Sequence, residues 1–179
     1  MWWAMANNGS TPEAGAKAAP PMGWLALSLV VLACDQASKA WASASLVLHR
    51  PRPLLPFLDL TLMHNRGAAF SFLHAAGGWQ RWFFTGLALL VAAAILWWLW
   101  RLPRKERLAA SALSLVLGGA LGNAWDRMRL GYVVDFIDVH YGDWHWPAFN
   151  VADSAITVGA VLLVLDGLRR RPAHGKRES

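Results

Sequence analysis

The chain has 179 residues, 56% of them hydrophobic and 16% charged, whereas soluble domains carry about 25% charged residues. This composition excludes an ordinary soluble globule and points to an integral membrane protein; most of the twelve Trp residues stand beside apolar runs, where amphipathic rings mark membrane interfaces. The net charge of +6 lies in short clusters flanking those runs, which argues against a nucleic-acid partner, and the single Cys34 excludes an internal disulfide framework or a multi-cysteine zinc site.

Residues 1–21, rich in Ala, Gly, Pro and Asn, have little to bury and are expected to form a flexible tail. The first apolar run starts at Met22. Its fully apolar part stops near Cys34, so a cleavable signal peptide competes with a permanent span; Cys34 itself is expected to be an inert buried thiol. Asp35, Gln36 and Lys39 follow on the same predicted helix. The next segment, about 43–81, contains Leu58, Leu60 and Leu62 alternating with Asp59, Thr61 and Met63, a period of two that predicts a half-buried strand, followed by the turn signal Asn65-Arg66-Gly67.

A second span, Trp82 to Trp100, contains no charged residue. A third runs from Leu108 to Trp125, where Gly118, Gly119 and other small residues permit close helix contact. The fourth covers about Phe149 to Leu168, with Asn150 and Asp153 near its start. A spanning helix needs about 20 apolar residues, so the expectation is an all-α membrane protein of four transmembrane helices, with a small extracytoplasmic β-rich subdomain between helices 1 and 2. One domain covers residues 22–168, and a basic tail follows at 169–179.

Four basic residues lie between the second and third spans (Arg101, Arg104, Lys105 and Arg107). Five more follow the fourth (Arg169, Arg170, Arg171, Lys176 and Arg177), against 17 in the chain. By the positive-inside rule these segments and both termini are cytoplasmic, although Arg50, Arg52, Arg66 and Arg81 in the first outer loop weaken the bias. This orientation brings Asp35, Lys39, Asn123, Asp126, Arg127, Asn150 and Asp153 to the outer level, with Asp135 in the short segment 126–148 nearby. Ionisable groups at membrane depth are costly, so a cluster at one level is a functional-site hypothesis.

Plainer readings stand beside it. Asp35 and Lys39, spaced i, i+4, form a structural ion pair. Asn150 can cap the fourth helix with Asp153 at its third position. Asp126 and Arg127 can pair locally at a helix end, and Asp138 and Asp143 read as solvated loop charges. His140 and His145 lack metal-ligand spacing, and Ser154 lacks a nucleophile context, so no metal is expected. What remains is a carboxylate pair, Asp135 and Asp153, able to share a proton and activate water as general acid and base. Their 18-residue separation says nothing about contact.

Several short motifs occur together: Asp35-Gln36-Ala37-Ser38-Lys39, Asn65-Arg66-Gly67-Ala68-Ala69-Phe70, Gly118-Gly119-Ala120-Leu121-Gly122-Asn123 with Asp126-Arg127, Gly131-Tyr132-Val133-Val134-Asp135-Phe136-Ile137, and Phe149-Asn150-Val151-Ala152-Asp153-Ser154. In this order, on a four-span frame, the sequence resembles the lipoprotein signal peptidases (signal peptidase II) through most of residues 22–168. The resemblance implies an aspartic endopeptidase of the bacterial inner membrane. Such an enzyme removes signal peptides from diacylglyceryl-modified prolipoproteins by cutting before the lipidated cysteine, without a cofactor. It implies Asp135 and Asp153 as the catalytic dyad, Asn65, Arg66, Gly67, Asn123, Arg127 and Asn150 as site-shaping or substrate-binding positions, and Asp35 and Lys39 as a structural polar pair. The expected partners are prolipoprotein substrates and membrane lipids, with the enzyme a monomer and its site near the periplasmic face. Asp153, near a helix N-terminus, is expected to stay ionised through the helix dipole, leaving the shared proton on Asp135. Two alternatives are a small transporter or proton pathway and a non-enzymatic membrane assembly factor.

Overall fold

The computed structural model describes residues 22–67 and 78–170. A short 3-10 turn, Met22–Trp24, leads into helix α1, Leu25–Ser45. Strands β1, Arg52–Leu55, and β2, Leu58–Asn65, follow; then come helices α2, Trp79–Arg101, and α3, Arg107–Leu130. Strands β3, Val133–Tyr141, and β4, Trp144–His145, precede the last helix α4, Val151–Arg170. The expected tail 1–21 and residues 171–179 lie outside the described residues, and so do Ala68, Ala69 and Phe70; α4 extends into the basic segment read as a tail from 169.

All four helices are long and apolar enough to cross a membrane, with spans of 21, 23, 24 and 19 residues, or about 30 Å or more of helix each. Helix α3 is the hub. Its apolar stretch is 67% buried, against 11–28% for the other three, because small side chains let its neighbours approach. A Cβ on Gly119 would collide with the carbonyl oxygen of Ala152 on α4, and one on Gly122 would stand 2.5 Å from Asp35 Oδ2 on α1. Without hydrophobic contrast between helix and lipid, such backbone proximity and interhelical hydrogen bonds hold the bundle. One such bond runs from Ser28 Oγ on α1 to the Ser114 carbonyl on α3, at 2.9 Å. Helix α2 packs Ala92, Ile95 and Leu99 against Ala110, Leu113 and Leu117 of α3. Its outward Trp79 and Trp82 at one end, and Trp97, Trp98 and Trp100 at the other, suit the two interfaces of a bilayer. Cys34 is exposed on α1 rather than buried, since its side of the helix meets no neighbouring element.

The sheet between α1 and α2 is present and larger than the period-two pattern implied. The strand order is β1-β2-β3-β4, all neighbours antiparallel, so half of it comes from the segment between α3 and α4. The run of valine and isoleucine at 133–139 is the strand signal that the sequence reading passed over. In β2 the alternation is real up to Thr61, but its deeply buried members are Asp59, Thr61 and Leu62, while Leu58 and Leu60 are half-buried. The polar pair is buried because it has partners: Thr61 Oγ1 donates to Asp138 Oδ2 at 3.0 Å, and Asp59 lies 3.3 Å from His140 Nε2. Asp138 is thus a buried strand residue, not a solvated loop charge; Asp143 is exposed in the β3–β4 turn.

Candidate active site

Pairing between β2 and β3 runs Leu60↔Ile137 and then Met63↔Asp135, with a register shift between the two. The extra residue in β2 is a bulge, and a bulge reverses which side of the strand odd-numbered residues occupy. Asp59 and Thr61 therefore share the Asp138 side, whereas Met63 and Asn65 come to the Asp135 side. Asn65 lies opposite Val133, diagonal to Asp135, and its Nδ2 donates to Asp135 Oδ2 at 3.0 Å.

Helix α4 begins at this same place. The backbone N–H of Asp153 donates to Asn150 Oδ1 at 2.9 Å, and the backbone N–H of Asn150 donates to Asp153 Oδ2 at 3.3 Å, the reciprocal arrangement of a capping box. Asn150, fully buried, also reaches across: its Nδ2 lies 2.7 Å from Asp135 Oδ1, 3.2 Å from the Val134 carbonyl and 3.2 Å from Asn123 Oδ1. Asn123 on α3 in turn donates from Nδ2 to Asp153 Oδ1 at 2.8 Å. Each carboxylate therefore accepts hydrogen bonds on both oxygens, and one residue, Asn150, touches both.

Burial drives the Asp135 carboxyl up from its ordinary value to about 7, and the neighbouring Asp153 charge pushes the same way. Hydrogen bonds from Asn65 and Asn150, and the charge of Lys39, oppose the rise. The pair lines one cavity of about 830 Å³, together with Asn65, Asn123, Arg127, Met63, Trp146 and Phe149.

Around the pair stand the remaining expected residues. Arg127 donates from Nη2 to the Gly67 carbonyl at 3.2 Å, lies over the Phe84 ring at 5.3 Å, and feels the charges of Asp153 and Asp135. Its neighbour Asp126 is committed elsewhere, so the local ion pair read from their adjacency is not the arrangement formed. Gly67 donates its N–H to Asn65 Oδ1 at 3.0 Å, closing the turn that aims Asn65. Arg66 is exposed and lies outside the cavity lining.

Asp35 and Lys39 meet at 2.8 Å as their spacing predicted, but the pair is part of a larger buried cluster. Lys39 Nζ also lies 2.9 Å from Asp126 Oδ2 and 2.9 Å from Asn123 Oδ1. Asp35 Oδ1 accepts the Ala152 N–H at 2.9 Å, in the first turn of α4. Asp126 takes Gln36 Nε2 at 2.9 Å on one oxygen and the Val134 N–H at 3.2 Å on the other. Reading the sequence alone missed Gln36 and Asp126 as ties between α1, α3 and β3; a carboxylate at the end of the apolar third span, two turns from Gly119, was the available signal. It also missed His64, which stacks on Tyr132 at 4.0 Å and whose imidazole is held below its ordinary pKa chiefly by burial.

His140 and His145 stack at 5.0 Å, each beside its own carboxylate, His145 Nδ1 lying 2.8 Å from Asp138 Oδ1. Among the described residues no three His, Cys, Asp or Glu side chains are grouped to hold a metal ion.

Residues 27–169 match the family described as signal peptidase (SPase) II. The chain is 57% identical over 145 residues to the lipoprotein signal peptidase of Teredinibacter turnerae, covering 81% of this chain and 86% of that protein. It is 57% identical over 143 residues to the lipoprotein signal peptidase of Acinetobacter baumannii, covering 80% and 81%. A solved structure of a bacterial membrane enzyme superposes with a TM-score of 0.78 at 28% identity, over 90% of this chain and 97% of the other.

Proposed function

This chain belongs to the signal peptidase II family, aspartic peptidases that remove signal peptides from prolipoproteins, and on that premise we propose that Asp135 and Asp153 are its two catalytic carboxylates. The protein is a multi-pass membrane hydrolase, and this family membership displaces the transporter and assembly-factor alternatives. The observation that carries the residue assignment is the convergence of Asp135 and Asp153 on one cavity, each clamped on both oxygens by Asn65, Asn123 and Asn150.

In the proposed mechanism Asp135 holds the proton and Asp153 is the ionised base, capped at a helix N-terminus where negative charge is favoured. Asp153 takes a proton from water as the oxygen attacks the scissile carbonyl, and Asp135 donates its proton to the carbonyl oxygen. Collapse of the tetrahedral intermediate returns that proton to Asp135, while Asp153 passes its proton to the leaving amine. The two carboxyl groups supply both proton transfers, so chelators are expected to leave cleavage intact. Arg127, near both carboxylates, is tied to Gly67 and so steadies the turn that aims Asn65.

The finer substrate reading is a diacylglyceryl-modified prolipoprotein cut before its lipidated cysteine. The site stands at the bundle end where α1 and α3 finish and α4 starts, the depth at which acyl chains in hydrocarbon leave a cysteine near the headgroups. The basic segments at the opposite end support cytoplasmic termini and a site at the outer face of the bacterial inner membrane, with the enzyme working as a monomer. The test is cleavage of such a substrate by the purified protein in detergent, beside Asp135→Asn and Asp153→Asn and with a chelator. Cleavage that survives chelation and disappears in both variants is expected; residual cleavage near wild type in either variant overturns the assignment.

A further inference from the structure

The buried ammonium of Lys39 lies outside the cavity lining, yet it touches the residue that holds one of the two carboxylates. We propose that Lys39 is a positioning residue for peptide cleavage: it fixes the side-chain amide of Asn123 with its oxygen inward, so that Nδ2 is presented to Asp153. This rests on the reading of Asp135 and Asp153 as the catalytic pair.

The argument is one of donors and acceptors. An ammonium has three hydrogens and accepts nothing. The three acceptors around Lys39 Nζ are Asp35 Oδ2 at 2.8 Å, Asp126 Oδ2 at 2.9 Å and Asn123 Oδ1 at 2.9 Å. Reversing the Asn123 amide would set its NH2 against the ammonium and its oxygen against the Asp153 carboxylate, two repulsions in a buried place where each is costly. With the amide held as observed, Asn123 Oδ1 also takes Asn150 Nδ2 at 3.2 Å, the same group that donates to Asp135 at 2.7 Å. One cation thus orients donors to both carboxylates. A simple ion pair between Asp35 and Lys39 would need neither Asn123 nor Asp126.

The charged groups around this ammonium and the carboxylate pair are Asp35 on α1, Asp126 and Arg127 on α3, Asp135 on β3 and Asp153 on α4. The cavity rim adds His49 and His64. Lys39 and Arg127 are the two fixed cations in this set, so a variant without Lys39 must also lose one carboxylate if the field on the pair is to stay unchanged.

The experiment uses the full chain in detergent, cleaving a diacylglyceryl-modified prolipoprotein across pH, with melting temperature measured in parallel. Lys39→Met paired with Asp35→Asn keeps the cluster's net charge, and Asn still caps the first turn of α4. The expected result is a folded protein whose kcat falls roughly 100-fold with KM little changed, and whose acidic limb stays near its wild-type position because the cluster's net charge is kept. Lys39→Arg, which keeps the charge, is expected to lose kcat while leaving the acidic limb near its wild-type position. Folded variants with the wild-type kcat overturn the proposal. So does loss of fold in both, which would assign Lys39 to the scaffold alone. Asp135→Asn and Asp153→Asn run alongside separate the two failures: if these still cleave, the catalytic pair is misassigned, whereas if they are dead and the Lys39 variants are normal, only the role of Lys39 falls.

Discussion

Asn150 and Asp153 exchange two hydrogen bonds, the Asp153 N–H to Asn150 Oδ1 at 2.9 Å and the Asn150 N–H to Asp153 Oδ2 at 3.3 Å, so the cap of α4 and the aim of one cavity carboxylate are the same interaction. A capping role and a catalytic role for Asp153 are therefore not competing explanations. The cap holds the side chain in one rotamer, and the remaining oxygen is left for Asn123.

Asn150→Ala is expected to cost about 1–2 kcal/mol of stability through loss of the cap and to reduce cleavage far more than the melting temperature suggests, because Asp135 loses its 2.7 Å donor as well. Asn150→Asp keeps a capping oxygen but adds a third carboxyl group, so it should melt closer to wild type and still be nearly inactive. Thermal unfolding and initial rates measured on the same preparations check both; near-wild-type activity in either variant would contradict the argument.

The pH dependence follows from Asp135. Its carboxyl is raised from 3.8 to about 7, by burial first and the Asp153 charge second. Between these values the folded protein keeps a proton that the unfolded chain has released, so stability falls as pH rises through that window. Cleavage is likewise expected to fall on a basic limb near pH 7, where the pair loses its shared proton. Asp135→Asn should flatten the stability slope over the same range, which chemical denaturation at pH 4, 5.5 and 7 measures directly.

Close approach at α3 makes a steric prediction. A Cβ at Gly119 meets the Ala152 carbonyl oxygen, so Gly119→Ala pushes α4 away from α3 and draws Asp153 from Asn123; overpacking of this kind costs about 1–3 kcal/mol. Gly86 on α2 has nothing within 4 Å of an added Cβ, and Gly86→Ala is expected to leave both melting temperature and cleavage at wild-type values or slightly above. A gain at Gly119 like that at Gly86 would show that helix propensity, not packing, governs this bundle.

In the sheet, the hydrogen bond from His145 to Asp138 holds the imidazole above its ordinary pKa of 6.5. The added stability is present below 6.5 and is lost as pH rises through the folded-state value. Hydrogen exchange of β3 and β4 should accelerate across that rise, and Asp138→Asn should remove the dependence. Exchange rates in β3 and β4 that do not change in the variant would rule out this pair as the cause.

Much of the architecture was readable from the amino acids alone because the relevant signals are local. An uncharged run such as Trp82 to Trp100 is a span wherever it sits, the alternation at Leu58–Met63 is a strand in any sheet, and Lys39 four residues after Asp35 shares its helix face. The valines of 133–139 were harder to read. A strand buried on both faces shows no clean alternation, and its partner β2 lies about 70 residues earlier, as in the Asn65–Asp135 pair.

Tertiary structure alone decided which polar groups meet. The bulge between Leu60 and Met63 turns Asn65 to the Asp135 side, and no feature of the one-dimensional pattern announces it. Asp135 and Asp153 converge because Asp126 holds the start of β3, through the Val134 N–H, while Asp35 holds the start of α4, through the Ala152 N–H. Asp59, Thr61 and Asp138 lie buried, against their polarity, because each finds its partner on a neighbouring strand. Periodicity and composition fix how far each segment prefers lipid or water, a property of single residues and their near neighbours. Pairing of buried donors and acceptors is a property of distant residues, and it exists only once the helices have packed.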